Sequence, residues 1–188
     1  MKQTLPAVLF AGGTSSRMQK DKALLPFGAY STLSEYQYVK LDTLFEDIYL
    51  CAKTNKFPFS CKVIEDKQPQ SAPLVGIVSV LEALGVEEVF ILSVDAPFVS
   101  GENIETILAA AQSTYDAIIA QSPSGIQPLC GVYRKSILPL AYKCLEEGNY
   151  RLHDLLRAAN TRFVSFDDDT PFTNLNHPHE YEEALKRV

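Results

Sequence analysis

The chain has 188 residues, 46% of them apolar and 21% charged, with 17 lysines and arginines against 23 aspartates and glutamates and a net charge of −6. That composition suits a folded domain long enough for a sizeable core and excludes a disordered chain. It also argues against a general nucleic-acid binder, which needs a basic surface, while leaving room for a local anion site. No apolar run approaches the ~20 residues of a membrane span.

Leu5–Phe10 carries a faint likeness to a signal peptide, but the chain then turns glycine-rich and basic instead of reaching a cleavage site. It reads as a first buried strand. Ser34 reads as the cap of a helix running to about Phe45, with Tyr38, Leu41, Leu44 and Phe45 on one face. Ile48–Ala52 and the short Cys61–Ile64 follow as strands, then Leu74–Leu84 as a helix. Val89–Val94 is apolar apart from Ser93, as a buried parallel strand should be. Ile104–Ala111 reads as a helix, and Ala117–Ala120 and Pro128–Tyr133 as strands. Lys135–Leu145 is helical but interrupted near Pro139, which only a first turn tolerates. Tyr150–Ala159 is a helix, Arg162–Phe166 a strand and Pro178–Lys186 a closing helix. Alternating strands and helices predict an α/β fold: a mostly parallel sheet with helices on both faces, some strands mixed late in the chain, and no linker dividing residues 1–188 into domains. Cys51, Cys61, Cys130 and Cys144 form neither a CxxC pair nor a zinc spacing, and read as reduced, mostly buried thiols of a cytoplasmic protein.

Ligands of such sheets bind beyond the carboxyl ends of the strands. After the first strand come Gly12 and Gly13, which allow a ligand close to the backbone, then the hydroxyls of Thr14, Ser15 and Ser16 and the cations Arg17, Lys20 and Lys22. Exposed amides and cations together make an anion site suited to a polyphosphate. The segment is neither a Walker A loop nor a G-x-G-x-x-G fingerprint. Asp95 follows the fourth strand, where a carboxylate can hold Mg²⁺. Asp66 closes the third strand. Asn174 and Asn176, at i and i+2 in an extended stretch, face one side. His177-x-His179 reads as a surface pair at a helix start, and Asp167–Asp169 as a solvated turn before Pro171.

The run Ala11-Gly12-Gly13-x-Ser15-x-Arg17-Met18-x-x-Asp21-Lys22 resembles the signature loop of nucleotidyltransferases that act on small phosphorylated acceptors. Within them it is most similar to the molybdenum cofactor guanylyltransferase family; relatives that transfer CMP usually carry Ala-Ala-Gly and lack the Asp-Lys pair. The likeness extends along nearly the whole chain, through Pro73-Leu74-Val75-Gly76, Asp95-Ala96-Pro97, Gln127-Pro128 and Asn174-Leu175-Asn176-His177-Pro178. It implies a three-layer, Rossmann-like nucleotidyltransferase fold in a single domain, and transfer of GMP from GTP to the phosphate of molybdopterin with Mg²⁺. It further implies catalytic roles for Arg17, Lys22 and Asp95, with Asp95 on the metal. Nucleotide contacts would come from Phe10, Ala11, Gly12, Gly13, Lys22, Cys51, Asp66 and Asp95, and acceptor contacts from Gln127, Asn174 and Asn176. GTP and molybdopterin are the implied partners, with molybdoenzyme apoproteins or their chaperones as recipients, and neither nucleic acid nor membrane. The chain departs from the family pattern at Cys51, where Asn is frequent, at Gln19 and Ala72, where Gly is usual, and at His177, where Thr is usual. Spacing leaves guanine and cytosine both open. It also leaves open another phosphorylated acceptor, such as a sugar phosphate or methylerythritol phosphate, and a non-catalytic module that delivers the cofactor.

Overall fold

In the structure, a computed structural model describing residues 1–12, 21–66 and 72–188, the apolar run near the N-terminus is the strand β1 (Ala7–Phe10), no more than 8% exposed at any position. Among the described residues, seven strands form one sheet in the order β3 (Lys62–Glu65), β2 (Ile48–Ala52), β1, β4 (Glu88–Ser93), β6 (Gly125–Arg134), β5 (Ala117–Ser122) and β7 (Thr161–Ser165). β1 pairs in parallel with β2 and β4, β2 with β3, and β5 with β7; β6 alone runs antiparallel, against both β4 and β5. The cause of that reversal is local. Only Pro123 and Ser124 separate β5 from β6, a hairpin connection too short for a parallel crossover.

Alternation along the strands sorts the core into two layers. Ala7 and Leu9 pack with Leu33 and Leu41 of α1 (Leu33–Asp42), Ile104 and Ile107 of α3 (Gly101–Ala109) and Ala184 of α6 (Pro178–Leu185). Val8 and Phe10 face the other way, onto Leu74, Ile77 and Leu81 of α2 (Pro73–Leu84), Ala141 of α4 (Leu138–Glu146) and Leu155 of α5 (Leu152–Ala158). Helices on both faces of a mostly parallel sheet make the expected three-layer α/β fold. Chain order reverses at β1: α1 leads to β2 over one face, and α2 returns to β4 over the other. The crevice between the carboxyl ends of β1 and β4 is therefore the place where such a sheet binds ligands.

Element boundaries depart from expectation in instructive places. Thr32, not Ser34, caps α1, its Oγ1 accepting from the Glu35 N–H at 3.0 Å. Ser34 is fully buried inside the helix and donates to the Ala23 carbonyl at 2.8 Å. Pro139 sits in the first turn of α4, behind a short 3-10 turn at Lys135–Ile137. β6 starts three residues earlier than expected because Pro128, which lacks an N–H, lies within a bulge: the register shifts between Ile119 and Gln121 of β5, and β4 pairs with β6 only from Cys130 onward. The fully buried Tyr133 donates to the Pro128 carbonyl at 2.6 Å and braces that bulge.

Gly131, in the middle of β6, permits the close approach of β5. A Cβ there would lie 2.2 Å from the Ile118 carbonyl oxygen and 3.0 Å from the Ile119 Cα, so backbone would have to move. Gly131→Ala should destabilise the fold by about 3 kcal/mol, read as a lowered denaturant midpoint; an unchanged midpoint would contradict this packing.

Candidate functional site

Two chain segments and two strand ends converge on the crevice. A 3-10 turn, Lys22–Leu24, is capped by Asp21, whose Oδ1 accepts from the Ala23 N–H at 3.1 Å. It carries Lys22 over the sheet edge, where the ammonium meets Asp95 Oδ2 at 3.0 Å and Asn176 Oδ1 at 3.3 Å. Side-chain exposure is 16% for Lys22 and 20% for Asp95, so the pair is mostly shielded yet open to a ligand. Ser93 donates to Asp95 Oδ1 at 2.5 Å, and the Asp95 carbonyl accepts from the Leu175 N–H at 2.9 Å, which staples the Asn174–Asn176 stretch to the end of β4. The carboxylate of Glu180 accepts from the N–H groups of Asn176 and His177 at 2.6 and 2.7 Å, so α6 starts at Pro178 with His177 at its cap.

Two hollows lie side by side along this edge, sharing Pro73, Ser93 and Leu129. The smaller, about 130 Å³, is bordered by Phe10, Gly12, Cys51 and Asp66. Asp66 is buried; its Oδ2 receives Lys53 at 2.8 Å and its Oδ1 receives the Ser79 hydroxyl at 3.4 Å. Burial pushes the Cys51 thiol up to about 12, which keeps it protonated, and its carbonyl accepts from the Ala11 N–H at 3.0 Å. Gly76 keeps the wall thin: a Cβ on it would meet the Phe10 ring at 2.9 Å. The larger hollow, about 300 Å³, is bordered by Asp95, Gln127, Asn174, Tyr150 and His153. Gln127 turns its amide nitrogen back to Ser122 Oγ at 3.0 Å.

Lys22, Asp95 and Asn176 thus come together in direct contact, with Gln127 and Asn174 in the adjoining hollow and Phe10, Gly12, Cys51 and Asp66 in the other. Arg17 and Gly13 lie outside the described residues. Among the described residues no group of three or more histidines, cysteines or acids converges as a metal cage. The rings of His177 and His179 stack on one another, 5.6 Å between centroids. In the Asp167–Asp169 turn, Asp168 accepts from the Thr170 N–H at 2.9 Å and Asp169 from the Ser124 N–H at 3.0 Å.

Four side chains escape the sequence reading. Lys53 and Lys56 follow β2, the same position after a strand that singled out the other residues, and applying that rule to β2 would have found them. Gln37 and Lys40, on the buried side of α1, fasten the chain after β4. Gln37 Nε2 donates to the carbonyls of Ser93 and Val94 at 3.4 and 3.3 Å, and Lys40 Nζ to those of Pro97 and Val99 at 3.0 and 2.8 Å. Burial pulls the Lys40 ammonium down to about 7, with the Cys130 thiol opposing. A lysine whose folded value lies below its unfolded one binds fewer protons when folded, so it adds stability as pH rises through 7. Wild type should therefore gain stability over Lys40→Met between pH 6 and 8.5 in denaturant titrations; a difference constant with pH would contradict this.

The chain is similar to known proteins along most of its length. The family model for the MobA-like NTP transferase domain matches residues 7–163. The chain is 34% identical over 186 residues to a molybdenum cofactor guanylyltransferase of Campylobacter jejuni (strain RM1221), covering 98% of this chain and 97% of that protein. It is 33% identical over 187 residues to one of Helicobacter pylori (strain G27), covering 97% and 92%. Among solved structures, molybdopterin-guanine dinucleotide biosynthesis protein A from Archaeoglobus fulgidus shares the fold at a TM-score of 0.82 and 18% identity, over 97% of this chain and 98% of that one. The 2-C-methyl-D-erythritol 4-phosphate cytidylyltransferase of Thermus thermophilus shares it at 0.72 and 17%, over 99% and 100%. The chain belongs to the MobA-like NTP transferase family and is a nucleotidyltransferase of the molybdenum cofactor guanylyltransferase kind.

Proposed function

We propose that the chain transfers GMP from GTP to the terminal phosphate of molybdopterin, in the crevice between β1 and β4. The observation that carries this reading is the Lys22–Asp95–Asn176 cluster, whose Asp95 borders the larger of two adjoining hollows. An acceptor phosphate oxygen attacks the α-phosphorus of GTP, a P–O–P bond forms, the bond from the α-phosphorus to the bridging oxygen breaks, and pyrophosphate leaves. The attacking oxygen is already anionic at neutral pH, so no side chain has to remove a proton. The barrier is electrostatic and positional, and fixed positive charge with aligned donors lowers it.

In this reading Lys22 and Arg17 hold the triphosphate, with Phe10, Ala11, Gly12 and Gly13 as further nucleotide contacts. Cys51 contributes through its backbone, and Asp66 receives the sugar or base in the smaller hollow. Gln127, Asn174 and Asn176 face the acceptor, whose flat ring system suits the apolar walls of Pro128, Leu129 and Phe172. Asp95 would hold Mg²⁺. A single carboxylate beside an amide oxygen is a hard donor set, and it fits a cation that takes one or two carboxylates and completes its shell with water and substrate phosphates. When bound, Mg²⁺ supplies charge to the phosphate oxygens.

The same reading makes residues 1–188 one nucleotidyltransferase domain working in the cytoplasm and passing its product to molybdoenzyme apoproteins or their chaperones. A single sheet from β3 at one edge to β7 at the other supports the one-domain part of this reading, and four free cysteines suit a reducing compartment. No described helix is long and apolar enough to cross a membrane.

Pyrophosphate release from GTP, CTP, UTP or ATP with Mg²⁺ and molybdopterin tests the assignment. GTP should outpace CTP by about tenfold or more; equal rates, or a preference for CTP, would overturn the guanylyl reading. Asp95→Ala and Lys22→Ala should each lose roughly two to three orders of magnitude in turnover, and near-normal rates in either would remove that residue from the mechanism.

A further inference from the structure

The chemistry above uses Lys22 but leaves Asp21, its neighbour in the motif, without a part. Among the described residues, the Asp21 side chain makes two bonds. One carboxylate oxygen caps the 3-10 turn through the Ala23 N–H at 3.1 Å, and the other receives the ammonium of Lys56. Lys56 comes from the segment after β2, and the same ammonium donates to the Ala11 carbonyl at 3.0 Å. Ala11 is in turn tied to β2 through its N–H on the Cys51 carbonyl at 3.0 Å. The Lys56 side chain is 23% exposed, Asp21 33%, and the ammonium lies 5.8 Å from the centre of the Phe57 ring.

Those contacts join three places: the end of β1, the segment after β2, and the residue immediately before Lys22. A single half-buried ion pair of this kind contributes only modestly to global stability. Its effect is on position, because the 3-10 turn that starts at Lys22 has Asp21 as its cap. A compact ammonium with three donors suits acceptors arriving from two different segments, one a carbonyl and one a carboxylate.

We infer that Lys56 is a positioning residue for the phosphate site: by bridging the Ala11 carbonyl and the Asp21 carboxylate it anchors the turn to the sheet edge and sets Lys22 opposite Asp95. Lys56 itself touches no reacting atom. The inference rests on the reading that Lys22 serves a triphosphate, and it goes beyond that reading by assigning Asp21 and Lys56 a joint task.

The test compares the full chain as wild type, Lys56→Met, Lys56→Arg, Asp21→Asn and the double variant Lys56→Met/Asp21→Asn. Affinity for inorganic tripolyphosphate with Mg²⁺ is measured beside kcat and KM for GTP and the thermal midpoint. Lys56→Met and Asp21→Asn should each weaken tripolyphosphate binding and lower kcat/KM for GTP by about tenfold, with a small change in midpoint, since a displaced group costs rate steeply. Lys56→Arg, which keeps the charge and the donors on a bulkier head, should recover part of the loss. The double variant should be no worse than either single one, because both remove the same link. Losses that multiply in the double variant would mean Lys56 acts on the ligand directly, and wild-type affinity in Lys56→Met would mean it does nothing there; either overturns the inference. A loss of midpoint with unchanged affinity in the folded fraction would overturn it as well, leaving only a structural role. Wild type that binds tripolyphosphate but does not turn over GTP would remove the guanylyl reading, and the binding comparison would still decide this one. Wild type that does not bind tripolyphosphate would count against it.

Discussion

An ammonium and a carboxylate meet at 3.0 Å across the carboxyl ends of β1 and β4, and much of the bonding around them serves to keep them there. Each belongs to a short segment that cannot define its own position: Lys22 sits on a 3-10 turn of three residues, and Asp95 on the chain leaving β4. The sheet and α1 supply the missing definition. Gln37 and Lys40 grip four successive or near-successive carbonyls from Ser93 to Val99, Ser93 holds the Asp95 carboxylate, and Leu175 ties the Asn174–Asn176 stretch to the Asp95 carbonyl. Polar groups drawn from α1, β4 and the C-terminal stretch thereby converge on one point of a mostly shielded crevice, where charge acts more strongly than in open water.

The chemistry explains why the site needs no elaborate acid–base apparatus. Phosphate attacking phosphate brings together groups that are already ionised, so the demand is for positive charge and alignment. Lysine is well represented: Lys22 at Asp95, Lys53 at Asp66, Lys56 at Asp21, and Lys40 under the β4 exit. Three of these lysines are held by a carboxylate each, so their charges are fixed in place at the strand ends. Cys51 takes the place where the family pattern has an amide, and its raised thiol pKa makes it an inert wall rather than a nucleophile.

Much of the architecture was legible in the sequence because buried parallel strands are apolar on both faces. Ile48–Ala52 appears as a strand with the same bounds in both, and the strict alternation of Ala7, Val8, Leu9 and Phe10 between the two core layers follows from the two-residue period. What escaped depended on distant partners. Ser34 looks like a cap until the Ala23 carbonyl, eleven residues back in the chain, claims its hydroxyl. Pro128 looks like the start of a strand until the hairpin forces the earlier residues into register and makes it a bulge. Within the site, Lys22 and Asp95 stood out because a long motif and a strand end flagged them. Lys40 and Gln37 did not, because a single lysine or glutamine in a helix looks the same in sequence whether it faces water or a buried carbonyl.

In the proposed reaction Asp95 holds a divalent cation beside a triphosphate gripped by Lys22. Crystals grown with Mn²⁺ and a non-hydrolysable GTP analogue, measured at an energy where manganese scatters anomalously, address it directly. One strong anomalous peak should lie within coordination distance of the Asp95 carboxylate, with the analogue's phosphates in contact with the Lys22 ammonium. An ordered analogue with its phosphates away from Lys22, or a manganese peak that leaves Asp95 uncoordinated, would contradict it.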